Sequence, residues 1–190
     1  MLRPLIARAF WALSPYRLNS EPAPSGSAVL IGAPHTSNWD FPFMLAISWS
    51  HRIAPKWLGK QQLFKAPFGG IMRALGGIPV DRANPAGLVD EVVRQSREND
   101  RFLLVVTPEG TRELREYWKS GFYRIARDAG LPVVLGYVDS ATKTTGLGPT
   151  IHLTGDVRAD MDTIREFYAD KRGLRPEDFT PPRLREEGEG

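Results

Sequence analysis

The chain has no cysteine in its 190 residues. This excludes a disulfide scaffold and any thiolate chemistry, and it fits a reducing compartment. Histidine is scarce as well: only His35, His51 and His152 occur, too few for a histidine-rich metal site. No apolar run approaches the roughly 18–20 residues that a membrane-crossing helix requires. The front segment lacks the long apolar core and cleavage site of a secretion signal. Neither a phosphate-loop consensus nor a dinucleotide fingerprint is found, so nucleotide hydrolysis and hydride transfer are poorly supported. No serine stands at the centre of a nucleophile elbow. Acids are missing from residues 1–20, which carry Arg3, Arg8 and Arg17. The rest of the chain holds 22 basic and 22 acidic residues, so the net charge of +3 arises at the front. So small an excess, without an aromatic-and-basic sheet motif, argues against a nucleic-acid partner.

What is present suits one folded domain. Hydrophobic residues make up 42% of the chain, with five Trp and nine Phe, enough for a single core at this length. In residues 1–20, Leu2, Leu5, Ile6, Ala9, Phe10 and Leu13 recur at three- and four-residue steps, and Trp11 and Tyr16 suit a headgroup boundary. That amphipathic segment fits either an anionic membrane surface, met through residues 1–18, or the protein's own core.

Beyond a Pro-, Ser- and Gly-rich connector, strands and helices alternate. Strands are expected at Ala28–Gly32, Ile53–Leu58, Ile78–Val80, Phe102–Thr107 and Pro132–Val138. Helices are expected from about 40 to 51, in the second half of 60–75, from Pro85 to Asn99, and from Ser120 to a stop at Gly130. Residues 141–149 read as a flexible loop, 151–154 as a short strand and 162–171 as a helix. The pattern predicts an α/β fold with a central, mostly parallel sheet and helices on both faces. It divides the chain into the segment 1–20, a domain over 21–171, and an extended or disordered tail over 172–190.

Chemistry-bearing residues cluster after strand candidates. In the run IGAPHTSNWDF, His35 and Asp40 follow the first strand. Inside one continuous helix they would lie roughly 140° apart; a turn entering the helix at Ser37 or Asn38 lets the carboxylate reach the imidazole. A histidine so oriented is equipment for general-base catalysis. The alternative is that Asp40 serves only the helix terminus. Arg82 closes GGIPVDR, where a guanidinium beside flexible backbone can grip a phosphate, or merely pair with Asp81. Glu109, Gly110, Thr111 and Arg112 follow the strongest strand, with Gly110 able to turn backbone amides toward an anion. A tight structural turn is the alternative. Parallel neighbouring strands would bring the three clusters to one rim of the sheet.

These three blocks, in order and spacing, resemble the glycerolipid acyltransferase family, as do LFKAPFGGIMRALGG between them and Lys119, Gly121 and Phe122 after the third. The likeness runs from about residue 28 to 138. It implies a glycerolipid acyltransferase-like fold, His35 as general base, Asp40 as its orienting carboxylate and Arg82 as a phosphate ligand. It further implies that Glu109, Gly110, Thr111 and Arg112 shape the acceptor site, and that no cofactor is bound. The donor would be acyl-CoA or acyl carrier protein, the acceptor a lysophospholipid, and the location cytoplasmic and peripheral to the membrane. Where the family's fourth block usually has proline, this chain has Leu135. A thioesterase using the same base on water, and a non-catalytic lipid-binding protein, are the alternative classes.

Overall fold

The computed structural model describes residues 2–80, 85–99 and 101–188. Among these residues seven strands, β1 (Arg17–Leu18), β2 (Ala28–Ala33), β3 (Lys56–Lys60), β4 (Gly77–Val80), β5 (Leu103–Val106), β6 (Val133–Asp139) and β7 (Thr144–Ile151), form one sheet. Their order is β1-β7-β6-β2-β5-β3-β4, and every pairing is parallel except β6 with β7. Among the described residues six α-helices cover it: α1 (Leu2–Leu13), α2 (Asp40–Ser50), α3 (Gly69–Ala74), α4 (Pro85–Glu98), α5 (Gly121–Ala129) and α6 (Val157–Tyr168). This is the α/β architecture, mostly parallel and flanked by helices, that the alternation of strands and helices predicts.

The central strands are buried on both faces, so they carry apolar runs without alternation. Val29, Ile31 and Ala33 of β2 pack with Phe122 and Ile125 of α5, Val92 of α4, and Met161, Ile164 and Tyr168 of α6. Ala28 and Leu30 point the other way, toward Ile47 of α2 and toward Trp57 and Phe64. Gly130 caps α5 at φ 65°, in the left-handed region, ending that helix where expected.

The expectation for residues 141–149 needs correction. This stretch is most of β7, an eight-residue strand, and the separate short strand at 151–154 is reduced to its last residue, Ile151. Gly146, Gly148 and Pro149 suggest a loop, yet the glycines are there because other groups come close. A Cβ at position 146 would lie 2.3 Å from the Asn19 carbonyl oxygen, and one at 148 would lie 2.3 Å from the Phe167 ring. An irregularity in the β6–β7 register, between Val134 and Gly136, accompanies them. The last helix also begins earlier than its apolar spacing suggests, because Asp156 caps it by accepting from the Ala159 N–H at 3.0 Å.

Both ends of the chain pack on the domain. Helix α1 docks through Ala7, Phe10 and Trp11, with Phe10 edge-on to Phe43 of α2 at 5.2 Å. Leu2, Leu5, Ile6 and Leu13 remain exposed. Past residue 171 the chain makes two 3₁₀ turns, Pro176–Asp178 and Arg185–Gly188. The Trp118 indole donates to the Thr180 carbonyl at 2.9 Å, Arg165 donates to the Pro182 carbonyl at 2.8 Å, and Leu184 is buried in the larger core.

Candidate active site

Parallel pairing sets the site. β2 and β5 are neighbours, with Ile31 opposite Val106, so the residues that leave their carboxyl ends share one rim. His35 leaves β2 after a cis Ala33–Pro34 peptide, and Glu109 leaves β5 three residues beyond its end.

The turn from Ser37 to Asp40 solves the angular problem posed by the spacing. Asp40 Oδ2 accepts from the Ser37 N–H at 2.9 Å, and Ser37 Oγ accepts from the Trp39 N–H at 3.2 Å. Together these two bonds close the turn into α2. The same Oδ2 lies 3.0 Å from His35 Nδ1. The carboxylate, stabilised at the helix N-terminus, thus selects the tautomer with Nδ1 protonated and the lone pair on Nε2. The His35 side chain keeps 18% of its exposure, and among the described residues none bonds Nε2.

Glu109 turns inward. It is 1% exposed, and its Oε1 accepts from the His35 backbone N–H at 2.6 Å. Burial pushes its carboxyl up to about 7; the His35 amide opposes that rise, the Asp40 charge adds to it, and the Thr180 backbone opposes it. Glu109 Oε2 and Asp40 Oδ1 are the buried side-chain oxygens without a hydrogen-bond partner among the described residues. Both belong to the carboxylates that hold His35.

Two contacts that sequence spacing does not reveal complete the frame. Thr36 is fully buried, and its Oγ1 accepts from the Arg175 N–H at 3.0 Å, across 139 residues. Gly173 lies against the same threonine, where a Cβ would sit 2.7 Å from Oγ1. The C-terminal segment therefore clamps the histidine loop. Nothing local marks Thr36, Gly173 or Arg175 for this, since the contact exists only once the tail has packed.

Gly110 has φ 70° and donates its N–H to the Thr107 carbonyl at 3.0 Å, with the Lys119 chain packed across it. A side chain there would meet both the left-handed backbone and Lys119. Thr111 next to it is half-buried and Arg112 is exposed. His35, Asp40, Glu109 and Gly110 thus come together on adjoining loops, with Thr111 and Arg112 continuing the second loop. Arg82 lies outside the described residues. Among the described residues, no three His, Cys, Asp or Glu side chains converge as a metal site.

A family model described as Acyltransferase matches residues 17–135. Among solved structures, the 1-acyl-sn-glycerophosphate (LPA) acyltransferase PlsC from Thermotoga maritima superposes with a TM-score of 0.56 at 17% identity, covering 81% of this chain and 69% of that one. At that identity the likeness is one of fold. No significant match is found among curated proteins.

Proposed function

Because the chain belongs to the Acyltransferase family, we propose that it moves a fatty acyl group from acyl-CoA or acyl carrier protein to a hydroxyl of a lysophospholipid or related phosphate-bearing lipid, in the manner of a 1-acylglycerol-3-phosphate O-acyltransferase. The observation that carries this reading is the His35–Asp40 pair at 3.0 Å, held at the carboxyl rim of the sheet with Nε2 unbonded among the described residues.

In the proposed reaction His35 Nε2 takes the proton of the acceptor hydroxyl as its oxygen attacks the thioester carbonyl. Asp40 holds the ring and stabilises the imidazolium that results. The tetrahedral intermediate collapses with loss of the thiolate, a far better leaving group than an alkoxide, so no second strong acid is required. His35 returns its proton to the thiolate or to water. Arg82 and Arg112 supply fixed positive charge for the acceptor's phosphate, while Gly110 and Thr111 shape the loop against it. Glu109 supports the reading differently from the role the resemblance assigns it. Its carboxylate grips the His35 backbone, so it acts as a positioning residue for the base.

The acceptor reaches the site from a membrane surface. Docked through Ala7, Phe10 and Trp11, α1 leaves Leu2, Leu5, Ile6, Ala9 and Leu13 within an arc of about 100° on its outer side. This suits attachment of residues 1–18 to an anionic bilayer, and a cytoplasmic, peripheral location. Among the described residues no helix is long and apolar enough to cross a membrane.

The test is thiol release from acyl-CoA with and without lysophosphatidic acid, with the lipid product identified by mass spectrometry. Acceptor-dependent release accompanied by the diacyl product supports the proposal. Release with free fatty acid and no need for acceptor would replace it with a thioesterase.

A further inference from the structure

The segment between β3 and β4 is unusual for its outward apolar residues. It runs through a 3₁₀ turn, Gln61–Phe64, and the short helix α3. One aromatic, Phe64, is buried, stacked 5.7 Å from Trp57, which is in turn 4.9 Å from Phe41 in the first turn of α2. Leu63, Phe68 and Ile71 face out instead, at 48%, 63% and 55% exposure. Exposed to this degree, they line no interior.

The elbow is also rigid. Arg73 donates to the carbonyls of Phe64 and Gly69, at 3.1 and 3.4 Å, and lies over the Phe64 ring. Gly69 packs so tightly that a Cβ would fall 2.1 Å from the Phe64 carbonyl oxygen. Three large apolar side chains are thus held outward on a braced loop, an arrangement that gains nothing in water.

Charge identifies what covers it. Residues 41–80 contain Arg52, Lys56, Lys60, Lys65 and Arg73 and no acid, while the whole stretch 1–80 has only Glu21 and Asp40. Lys60 and Lys65 are exposed and bracket Leu63. The elbow is joined to α1 by the Arg3 guanidinium, which donates to the Ala74 carbonyl at 3.1 Å. It starts at the carboxyl end of β3 and returns through α3 to the amino end of β4, where the Leu75 carbonyl accepts from the Trp57 indole at 3.1 Å.

We propose that Leu63, Phe68 and Ile71 form a second bilayer-inserting element, which enters an anionic membrane surface together with α1. The apolar tips enter the headgroup boundary while Lys60 and Lys65 meet lipid phosphates. The proposal extends the reading of α1 as a membrane contact, but it rests on different residues.

The experiment is co-sedimentation of the full chain with vesicles of equal parts phosphatidylcholine and phosphatidylglycerol, and with phosphatidylcholine alone. Phe68→Ser with Ile71→Ser probes the elbow, and Leu5→Ser with Leu13→Ser probes α1. All four positions are exposed, and circular dichroism checks that the fold persists. The elbow pair is expected to weaken binding to the anionic vesicles by about tenfold or more, from the apolar area withdrawn from lipid. Lys60→Gln with Lys65→Gln is expected to narrow the preference for anionic over neutral vesicles. Parent-like binding by the elbow variant, with loss in the α1 variant, overturns the proposal and leaves α1 standing. Failure of the parent to bind either vesicle overturns both. A lipid-independent dimer abolished by the elbow substitutions, with vesicle binding unchanged, would assign the face to a second copy of the chain and overturn the proposal too. None of these readouts depends on acyl transfer.

Discussion

Glu109 makes folding stability depend on pH in a direction opposite to that of most carboxylates. Its carboxyl sits at about 7 in the folded chain, against an ordinary value of 4.5. The unfolded chain releases this proton near pH 4.5 and the folded chain near pH 7, so between those values the folded state binds more protons. Stability then falls as pH rises through that window, by ~3 kcal/mol from this one group. Glu109→Gln retains an oxygen to accept the His35 N–H and removes the titration. At about pH 5 parent and variant should be nearly equal in stability, and at about pH 8 the variant should be the more stable, by up to ~3 kcal/mol. Glu109→Ala should behave otherwise, losing ~2–4 kcal/mol at either pH because it leaves a buried N–H unpaired and a void beside it. Urea unfolding of the full chain at the two pH values measures all three proteins. The difference between parent and Glu109→Gln isolates this carboxyl from every other group that titrates. Parallel pH profiles for the two would refute the buried, raised carboxyl.

Three further perturbations follow. Asp40→Asn disturbs both the His35 tautomer and the bond that closes the Ser37 turn, so kcat should drop by about 10²–10⁴ with stability falling by only ~1 kcal/mol; steady-state kinetics and denaturation check the two effects separately. Arg82→Ala should raise the KM for a phosphate-bearing acceptor by about tenfold or more, with little change in the KM for acyl-CoA, as read by varying each substrate in turn. Leu184→Ala should lose ~2–4 kcal/mol, measured by urea unfolding, because the C-terminal segment is part of the larger core.

The fold was legible where sequence and burial share a simple period. β2, β5 and β6 are buried on both faces and appear as unbroken apolar runs, and Gly130 closes α5 through the left-handed conformation that favours glycine. β7 was not legible. Its glycines answer to Asn19 and Phe167, partners that local pattern does not reveal, and the same residue type usually marks a loop. At the site, the chemistry of His35 and Asp40 was suggested by their spacing, and the turn that Asp40 closes by accepting from the Ser37 N–H is the physical means by which five residues bring them together. Glu109 was visible as a polar residue after a buried strand, but its direction was not, because inward burial depends on β5 lying next to β2. The clamp of Thr36 by residues 173 and 175 is set by packing alone.

The most direct test of the account is the rate of thiol release from acyl-CoA in the presence of lysophosphatidic acid, comparing the parent with His35→Ala. Removing the imidazole removes the base that Asp40 orients, so the variant is expected to lose about 10²–10⁴ in kcat while unfolding at a denaturant concentration close to the parent's. A folded His35→Ala protein that makes the diacyl product at the parent's rate would contradict the assignment of His35 as the base.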